Sequence, residues 1–370
     1  MKIASVLNRF KEMGQLLAKG GPGVCNIAIT NACNARCDFC NYAYDKPFVQ
    51  QKAMVGFQEL CEAIDVLYER GIRYLTFSGG EPLLHPRLKE MVAYAVGKGM
   101  RPSICTNGFL LTPRMIRDLK ESGLKTLIIS IDAASAKEHE ENRGLPGVCA
   151  RIKEANGELK RLSIKTVASV TINRLIKEYA RLLLFLKELG FETATFSYPK
   201  RALGSSSLVF SETSSLIDYT PEELIKAFEE IKGLKGRFSI LNPGESLSEM
   251  VRFLKKEEQL FPCFGGYKYF FLDWNLDLYR CDFWPTKMGS IYEFRDTPFI
   301  RDNCTLCMSD CYRDSSVLLH FAVSLGDTIG HLKRGELARA MRTILTRSNA
   351  RSVKALVQEW GTFRRLAKRG

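Results

Sequence analysis

The stretch that decides the fold is Asn31-Ala-Cys-Asn-Ala-Arg-Cys-Asp-Phe-Cys-Asn41, where Cys33, Cys37 and Cys40 follow a C-x3-C-x2-C spacing. Three thiolates on one short loop can bind three irons of a [4Fe–4S] cluster and leave the fourth iron open to an outside ligand. A structural zinc site would normally take C-x2-C pairs and a fourth protein ligand. The spacing therefore favours an iron–sulfur loop over zinc, and over three unrelated cysteines.

The composition is that of a large globular protein with an unusual number of thiols. The chain has 370 residues, 45% of them hydrophobic, and 12 cysteines. This length allows one large α/β domain and a smaller one. Clustered cysteines in a long chain with no signal peptide indicate metal or redox use in a reducing compartment rather than disulfides. No apolar run approaches the roughly 20 residues that span a bilayer. We therefore expect a cytoplasmic protein.

The net charge of +13 allows nucleic acid, an anionic membrane or an acidic substrate as a partner. Much of the excess charge follows Lys333, and no nucleic-acid-binding motif is present, so we expect no nucleic-acid partner. Residues 1–20 have the pattern of an amphipathic helix, which would either pack on the domain or lie on an anionic membrane surface. Peripheral contact with the inner face of the membrane therefore stays open.

Strand-like and helix-like segments alternate from Val24 onward. Six strands are predicted, and they begin at Cys25, Tyr74, Pro102, Thr126, Thr166 and Thr193. The helices predicted between them cover Phe57–Arg70, Pro86–Gly97, Gly147–Leu162 and Lys177–Leu189. This alternation predicts a parallel sheet with right-handed crossovers. Functional residues of such sheets collect at the C-terminal ends of the strands, where the cysteine loop also lies.

The fold class that we predict is α/β, a partial (β/α)6 TIM-like barrel with a small C-terminal iron–sulfur domain and a helical tail. The predicted units are an amphipathic N-terminal helix at 1–23, the barrel at 24–202, a helical connector at 203–259, an auxiliary-cluster domain at 260–315 and a basic helical tail at 316–370.

Polar motifs end the predicted strands. Ser78-Gly-Gly-Glu-Pro82 follows the second strand, where two glycines permit close approach of a ligand and a carboxylate can receive an ammonium group. Cys105-Thr-Asn-Gly108 ends the third strand and Ser130-Ile-Asp132 ends the fourth. Residues 106–108 could bind a ligand, and the alternative is that they form a simple turn. Arg143 could also bind a ligand, and the alternative there is a solvent-exposed arginine.

The cysteine motif, with Phe39 before its last cysteine, and the Gly-Gly-Glu-Pro run together resemble the radical S-adenosylmethionine (SAM) enzymes. The resemblance implies that Cys33, Cys37 and Cys40 hold a [4Fe–4S] cluster whose open iron binds SAM. One electron from a flavodoxin- or ferredoxin-type reductant then cleaves SAM to methionine and a 5′-deoxyadenosyl radical, which abstracts hydrogen from the substrate. The resemblance assigns cofactor binding to Phe39, Gly79, Gly80, Glu81, Pro82, Asn107, Ser130 and Asp132. Three further candidates come from the residues themselves: Arg143, whose guanidinium could bind the SAM carboxylate, and Ser169 and Thr171, which alternate toward one face of the fifth strand. The fifth strand lacks the glycine-containing motif that the family often has there, which leaves the adenine contacts open.

A second group of thiols comprises Cys263, Cys281, Cys304, Cys307 and Cys311. The residues from Tyr267 to Cys281 predict a β-hairpin that turns at 275–277 and brings its flanking cysteines together. Four thiolates suit either a fully ligated [4Fe–4S] cluster or structural zinc. The spacing resembles the SPASM/twitch group of radical SAM enzymes, above all the twitch domain of the aminocyclitol dehydrogenases, which implies one auxiliary [4Fe–4S] cluster. Cys311 is then a spare or replaces one of the four.

The resemblance implies an enzyme but leaves its substrate open. Oxidation of an alcohol or amine, modification of a peptide, and modification of a lipid or isoprenoid are the three substrate hypotheses, and no catalytic residue is assigned beyond the cluster loop. From another class, a non-catalytic iron–sulfur or zinc protein for electron transfer or binding is the alternative. Its signature would be a broken cysteine or Gly-Gly-Glu-Pro motif, and both motifs are intact.

Overall fold

The structure is a computed structural model that describes residues 16, 18, 20–49, 51–201 and 204–368, without the side chains of 362–368. The amphipathic helix predicted over residues 1–20 lies outside the described residues, apart from 16, 18 and 20. In the described part of the chain, no helix is long and apolar enough to cross a membrane.

The strands of the described residues form one sheet in the order β10-β9-β8-β1-β2-β3-β4-β5-β6-β7. Strands β1 to β7 run parallel to their neighbours, in sequence order. The first six are the predicted strands, and the short β7 lies in the segment that was predicted as a helical connector. The sheet does not close on itself, so the fold is an open, partial barrel. The strands are β1 Gly23–Thr30, β2 Ile72–Gly79, β3 Arg101–Thr106, β4 Thr126–Ser130, β5 Lys165–Thr171, β6 Thr193–Ser197, β7 Ser239–Ile240, β8 Tyr269–Leu272, β9 Asp277–Tyr279 and β10 Gly289–Ser290.

Helices connect the parallel strands and continue to the end of the described chain. Local signals fix several of their ends: the helix after Thr220, for example, begins with a capping box between Thr220 and Glu223 and has a proline at its first position. The helices are α1 Phe57–Glu69, α2 Leu88–Gly97, α3 Pro113–Glu121, α4 Ala136–Arg143, α5 Val148–Arg161, α6 Tyr179–Glu188, α7 Pro221–Leu234, α8 Gly244–Leu254, α9 Asp310–Lys333, α10 Leu337–Ile344 and α11 Arg347–Lys368.

The two faces of the sheet differ in polarity because side chains alternate along each strand. One face is fully buried beneath the helices and contributes residues such as Ile27, Phe77 and Ile104 to the main core. The opposite face is half-buried and polar. It carries Asn26, Thr76, Ser78, Ser103, Cys105, Ser130, Ser169, Thr171, Thr195 and Ser197. The barrel interior therefore offers hydrogen-bonding side chains rather than a packed apolar core.

The hairpin in the cysteine-rich segment is present and is part of the same sheet. Strands β8 and β9 are antiparallel, and Asp273 Oδ1 holds the turn between them by accepting the backbone N–H groups of Asn275 at 2.9 Å and Asp277 at 3.0 Å. Strand β8 also pairs in parallel with β1, from Val24 to Ile27. The second group of cysteines is thereby attached directly to the strand that precedes the first.

Candidate functional site

The loop after β1 packs backbone to backbone against the Gly-Gly-Glu run after β2. Gly80 N donates to Thr30 O at 2.9 Å, and Glu81 N donates to Ala32 O at 2.8 Å. A Cβ atom at Gly79 would lie 2.1 Å from Thr30 O, and one at Gly80 would lie 2.1 Å from Ala32 O. Gly79 also has a φ of +115°, which L side chains rarely adopt. Both glycines are therefore required for the cysteine loop to lie where it does.

The three thiols of this loop lie close enough for their charges to interact. Burial raises the pKa of Cys33 to about 12 and that of Cys37 to about 11, and the charge of Cys37 adds to the rise at Cys33. Burial also raises the pKa of Cys40, with further contributions from Cys37 and Cys33. The backbone N–H of Ala35 donates to Cys33 Sγ at 3.4 Å. A bound iron would displace the thiol protons and make the three side chains thiolates.

The donor set of the loop fits a [4Fe–4S] cluster. In the residues that the structure describes, no three His, Cys, Asp or Glu side chains surround a single metal-ion position. The ligands of a cluster bind separate iron atoms, and three neighbouring thiols on one loop are the donors that such clusters take. Cys33, Cys37 and Cys40 are the residues that would hold it.

Glu81 is a buried acceptor that joins the ends of β2 and β3. Its Oε1 accepts Leu83 N at 3.0 Å and Thr106 Oγ1 at 2.7 Å, and its Oε2 accepts Asn107 N at 2.8 Å. Burial raises the pKa of this carboxyl group, and the three hydrogen bonds oppose the rise. Three donors leave acceptor capacity on the carboxylate, which suits the ammonium group that the sequence predicted as its partner.

The Thr106-Asn107-Gly108 run is more than a turn, because Asn107 reaches the cysteine loop. Its Nδ2 donates to Asn34 Oδ1 at 2.7 Å, and its Oδ1 accepts Phe109 N at 2.9 Å. Pro82 begins a short 3₁₀ helix, Pro82–Leu84, and is buried. Pro82 and Asn107 thus lie beside the predicted SAM site at the ends of adjacent strands.

Asp132 and Arg143 form a buried ion pair beside the cysteine loop. Arg143 Nη2 donates to Asp132 Oδ1 at 2.7 Å, and Asn142 Nδ2 donates to Asp132 Oδ2 at 2.9 Å. Burial acts to raise the pKa of Asp132, but the charges of Arg143 and His139 and the hydrogen bonds from Arg143 and Asn142 together hold it below its ordinary value. The backbone C=O of Arg143 also accepts Arg36 N at 2.9 Å. Arg143 is 7% exposed, so the alternative of a solvent-exposed arginine is wrong.

The guanidinium of Arg143 acts on the three thiols of the cysteine loop as well as on the carboxylate of Asp132. Its charge lowers the pKa of Cys33, Cys37 and Cys40 against the larger effect of burial. Its buried Nε has no hydrogen-bond partner among the described residues. A donor of this kind suits an anionic ligand group near the cysteine loop, and a contact with the SAM carboxylate stays a prediction.

The three hydroxyl residues assigned to SAM lie on the half-buried face of neighbouring strands. Ser130 of β4 is in register with Ser169 of β5, and Ile131 N donates to Ser169 O at 2.9 Å. Thr171 follows on the same face of β5. Cys105, on β3, lies beside Ser130, and burial raises its pKa to about 11. The structure therefore brings these side chains to one polar surface inside the barrel.

Phe39 lies in an apolar cluster with Phe210 and Ile217. These partners belong to residues 204–218, which we call the strap. Leu208 O accepts Asn41 N at 2.8 Å, and Ser214 Oγ donates to Asp38 Oδ1, so the strap covers the cysteine loop. The sequence predicted only a connector here. The pattern gave no signal of this contact, since the strap contains little regular secondary structure.

The strap also reaches the second group of cysteines. Ser205 Oγ donates to Asp282 O at 2.8 Å, next to Cys281, and Ser206 Oγ donates to Asp273 Oδ2 at 2.6 Å in the hairpin turn. Trp274 of the same turn meets Tyr42 edge-on, with ring centroids 6.1 Å apart. The two cysteine groups therefore share one strap and one hairpin contact.

Four thiols of the second group interact with one another. Cys263 N donates to Cys304 O at 2.8 Å, and Gly265 N donates to Cys263 Sγ at 3.3 Å. Burial raises the pKa of Cys281 to about 12 and that of Cys307 to about 11, and each feels the charge of Cys263. Backbone N–H groups two residues after Cys281 and Cys307 oppose these rises, as at Cys33 in the first group.

Cys311 differs from these four thiols. It lies in the first turn of α9, is exposed, and has its Sγ 3.7 Å from Asp310 Oδ2. Nearby, Lys200 Nζ donates to Asp282 Oδ2 at 2.5 Å and to Ser309 Oγ at 2.9 Å. The structure therefore places Cys311 beside a carboxylate, and whether it is a spare or replaces one of the four stays open.

Two buried arginines lie beside the second group, and sequence reasoning missed both. Arg313 is fully buried; its Nη2 donates to Phe261 O at 2.6 Å, while its Nε and Nη1 have no partner among the described residues. Arg280 donates to Gly265 O at 3.2 Å and pairs with Asp302. The charges of both arginines lower the pKa of Cys263 against the larger effect of burial. The sequence signal for them was slight: Arg280 precedes Cys281, and Arg313 follows Cys311 by two residues.

A cavity of about 260 Å³ lies between the C-terminal end of β6 and the second cysteine group. Its walls are mostly aromatic and apolar, and they include Lys200 and Cys307. Tyr198, which follows β6, lines the cavity and stacks on Phe228 with ring centroids 5.8 Å apart. A small organic molecule could occupy this space.

Comparison with known proteins agrees with this geometry. The model of the Radical SAM superfamily matches residues 27–198. The chain is 31% identical to an AdoMet-dependent heme synthase of Oleidesulfovibrio alaskensis over 44% of this chain and 42% of that protein. It is 28% identical to a GTP 3′,8-cyclase of Campylobacter fetus over 64% of this chain and 78% of that protein. The chain spans less than half the length of the heme synthases that it matches.

The fold is shared with solved structures at much lower identity. The crystal structure of Streptococcus suis SuiB bound to S-adenosylmethionine superposes with a TM-score of 0.56 at 15% identity, over 80% of this chain and 71% of that one. The family match includes the cysteine loop, the Gly-Gly-Glu run and the strand ends described above. Residues 27–198 of this chain therefore match a radical SAM superfamily domain.

Proposed function

We propose that this protein is a radical SAM enzyme that cleaves SAM reductively and abstracts a hydrogen atom from a substrate held in the barrel. The observation that carries the proposal is the arrangement around Cys33, Cys37 and Cys40. Three interacting thiols lie on a loop fixed by the backbone of Gly80 and Glu81, with the buried guanidinium of Arg143 beside them. The match of residues 27–198 to the superfamily supports it.

The residues of the chain have separable tasks in this proposal. Glu81 offers a buried carboxylate to an ammonium group, and Arg143 offers to a carboxylate an N–H that has no partner within the described part of the chain. Ser130, Ser169 and Thr171 offer hydroxyl groups from the barrel interior. The strap excludes water from the cysteine loop through Phe39, Phe210 and Ile217. A [4Fe–4S] cluster, when bound, supplies one electron that splits SAM into methionine and the 5′-deoxyadenosyl radical.

We further propose that Cys263, Cys281, Cys304 and Cys307 hold one auxiliary [4Fe–4S] cluster of the twitch type. Support comes from the mutual interaction of these thiols and from the buried cations of Arg280 and Arg313, which offset thiolate charge. Zinc would take the same four ligands. An iron–sulfur cluster next to the cavity could accept an electron from substrate, so an oxidation is the favoured reaction class.

We propose a cytoplasmic location, with an external one-electron donor of the flavodoxin or ferredoxin type. All twelve cysteines are free, as a reducing compartment requires. Substrates named for the relatives, heme precursors or GTP, are not assigned to this chain. The aromatic cavity beside Cys307 favours a small organic substrate over a peptide.

The test is SAM cleavage by protein reconstituted anaerobically with iron and sulfide. With dithionite as the electron donor, wild type should produce 5′-deoxyadenosine and methionine, and the Cys33→Ala/Cys37→Ala/Cys40→Ala variant should produce neither above background. Cys61→Ala is the matched control, because Cys61 is a buried thiol in α1, away from the loop. Absence of both products with reconstituted wild type would refute the proposal.

A further inference from the structure

The last helices of the chain expose an unusual concentration of large apolar side chains. Seven of the sixteen large apolar residues that are exposed in the described chain fall within residues 332–360. We call these seven the C-terminal apolar stripe: Leu332, Leu337, Met341, Leu345, Val353, Val357 and Trp360. Leu345 is 75% exposed and Trp360 is 65% exposed. Scattered single apolar residues are normal at a surface, but a concentration of this kind marks an interaction site.

The stripe follows helical spacing on both helices. Leu337, Met341 and Leu345 are four residues apart, so they share one side of α10 and its end. Ala340, on another side of α10, is buried. In α11 Val353, Val357 and Trp360 repeat the spacing, while Ser352 and Ala355 face the core, and Ser352 Oγ donates to Val317 O at 2.7 Å. Each helix therefore packs by one face and presents a second apolar face outward.

Positive charge is concentrated on the same segment. Residues 333–370 contain eleven Lys or Arg and two Glu, a net charge of +9 out of +13 for the whole chain. Lys333, Arg342 and Arg347 are exposed, and within the described residues they form no ion pair. Arg347, Arg351 and Lys354 repeat at spacings of four and three, in a row of their own beside the apolar one. Arg351 and Lys354 share one carboxylate, that of Glu245, so the row keeps a net positive charge.

We propose that the C-terminal apolar stripe and its flanking basic residues dock the protein on an anionic phospholipid bilayer. Helices that lie in a membrane interface place Leu and Trp side chains among the acyl chains and Lys or Arg side chains at the headgroups. A second copy of this chain would bring two strongly positive segments together, which opposes dimerisation through this face. Nucleic acid would match the positive charge of the segment, but it would offer no apolar surface to cover Leu345 and Trp360. This inference is independent of the proposed function.

The experiment uses the full-length protein and extruded vesicles. Vesicles contain either phosphatidylcholine alone or phosphatidylcholine with about one third phosphatidylglycerol, and binding is measured by flotation. Wild type should bind the anionic vesicles at least about tenfold more strongly than the neutral ones, and added salt should weaken binding. The emission of Trp360 should shift to shorter wavelength and be quenched by lipids labelled in the acyl chain.

Two variants separate the apolar and the charged contributions. Leu345→Ser/Trp360→Ser removes apolar side chains, and Arg342→Glu/Arg347→Glu reverses exposed charges; each should weaken binding by about tenfold or more. Matched controls elsewhere on the surface are Leu184→Ser in α6, where Leu184 is 60% exposed, and Lys153→Glu in α5. Both controls should bind as wild type does. Trp360→Phe should bind vesicles but lose the emission shift.

The proposal is overturned if wild type fails to bind anionic vesicles, or if both stripe variants bind them as wild type does. It is also overturned if the wild type dimerises in sedimentation and Leu345→Ser/Trp360→Ser is monomeric, since a second copy would then cover the stripe. Thermal melting of every variant checks that the fold is intact. SAM cleavage by the stripe variants should equal that of wild type, so failure of membrane docking leaves the proposed function untouched.

Discussion

The two cysteine groups are assembled in different ways. The first places three cysteines within eight residues, and a single loop brings them together. The second takes four cysteines from a span of 45 residues, and it requires the β8–β9 hairpin, its pairing with β1 and the contact between Cys263 and Cys304. A local group can be recognised from spacing alone, whereas a dispersed group depends on the sheet that carries it.

The groups resemble each other in the charge that surrounds them. Each has a buried arginine with an N–H that lacks a partner among the described residues, Arg143 at the first group and Arg313 at the second. The two arginines differ in the groups that they bind. Arg143 pairs with the buried carboxylate of Asp132 at 2.7 Å. Arg313 donates to the neutral oxygens of Gln259 at 2.9 Å and Phe261 at 2.6 Å, and its longer ion pair with the buried carboxylate of Glu249 spans 3.8 Å. Both arginines offset negative charge, but only the first is locked into a short ion pair.

The largest effect is expected from Gly80→Ala, because backbone contacts of Gly80 fix the position of the first cysteine group. In Gly80→Ala the new Cβ would lie 2.1 Å from Ala32 O and 3.0 Å from Cys33 N, so the cysteine loop must move. We expect loss of SAM cleavage to background and loss of the iron bound by the first group, while iron at the second group is kept. Iron and sulfide analysis after reconstitution measures this outcome.

Gly157→Ala is the matched control for that variant. Gly157 lies inside α5, and a Cβ there would meet nothing within 4 Å. Replacing a glycine inside a helix by alanine should stabilise the protein by about 0.5–1 kcal/mol and leave iron content unchanged. If Gly80→Ala bound iron and cleaved SAM as Gly157→Ala does, the backbone account of the first group would be wrong.

The next effect separates the two buried arginines. Arg143→Met leaves the carboxylate of Asp132 buried without its cation, and should lower the free energy of unfolding by about 3–5 kcal/mol. Arg313→Met leaves two neutral acceptors and the carboxylate of Glu249, which keeps Arg252 at 3.4 Å and the backbone N–H of Leu260 at 2.8 Å. This substitution should lower the free energy of unfolding by about 1–3 kcal/mol. Urea unfolding of the iron-free proteins measures both values. If Arg313→Met lowered the free energy of unfolding as much as Arg143→Met or more, the two arginines would not differ in the way proposed.

An effect of similar size, which depends on pH, concerns the buried acids near each group. Asp132 has a cation beside it, but Asp314 in α9 is held by Asn242 and Ser246, and burial raises its pKa to about 8. The folded protein keeps this proton up to about pH 8, whereas the unfolded chain releases it near pH 4. Stability should therefore fall as pH rises from 5 to 8, by up to about 1.4 kcal/mol per pH unit.

Asp314→Asn should abolish this dependence, because the amide does not titrate. Urea midpoints at pH 5, 6, 7 and 8 measure it in both proteins. The opposite slope in wild type, or the same slope in the variant, would show that Asp314 is ionised in the folded state.

The smallest effect is expected at Cys311. Cys311→Ala should keep the iron of the second group, because this exposed thiol lies beside Asp310 rather than among the other four. Cys307→Ala should lose that iron. Iron content and absorption near 400 nm distinguish the two variants, and loss of iron in Cys311→Ala would make Cys311 a ligand.

Much of the fold follows from patterns within single segments. Six strands were predicted close to their observed positions, since buried strands alternating with amphipathic helices leave a strong local signal. The cysteine loop and the Gly79-Gly80-Glu81 run were also evident, because each is contiguous. Their contact is a property of the parallel pairing of β1 with β2, which places the ends of both strands side by side.

The remaining features depend on contacts between distant segments. Arg313 and the strap carry no local pattern, since their partners, Phe261 and the loop around Asn41, are respectively about 50 and 170 residues away in sequence. The β8–β9 hairpin was predicted from the sequence. The parallel pairing of β8 with β1 was not predicted, because the sequence of one strand does not specify which strand lies beside it. The assignment of Phe39 to cofactor binding stays a prediction, and its observed contacts are with Phe210 and Ile217.

The central claim, two cysteine groups that hold two clusters, is tested most directly by counting iron and sulfide and recording EPR spectra. Three reconstituted proteins are compared: wild type, the alanine variant of Cys33, Cys37 and Cys40, and the alanine variant of Cys263, Cys281, Cys304 and Cys307. The account predicts about eight irons per chain in wild type and about four in each variant, with SAM perturbing the EPR signal only when the first group is intact. A triple variant without iron, or a quadruple variant with the full wild-type iron content, would contradict it.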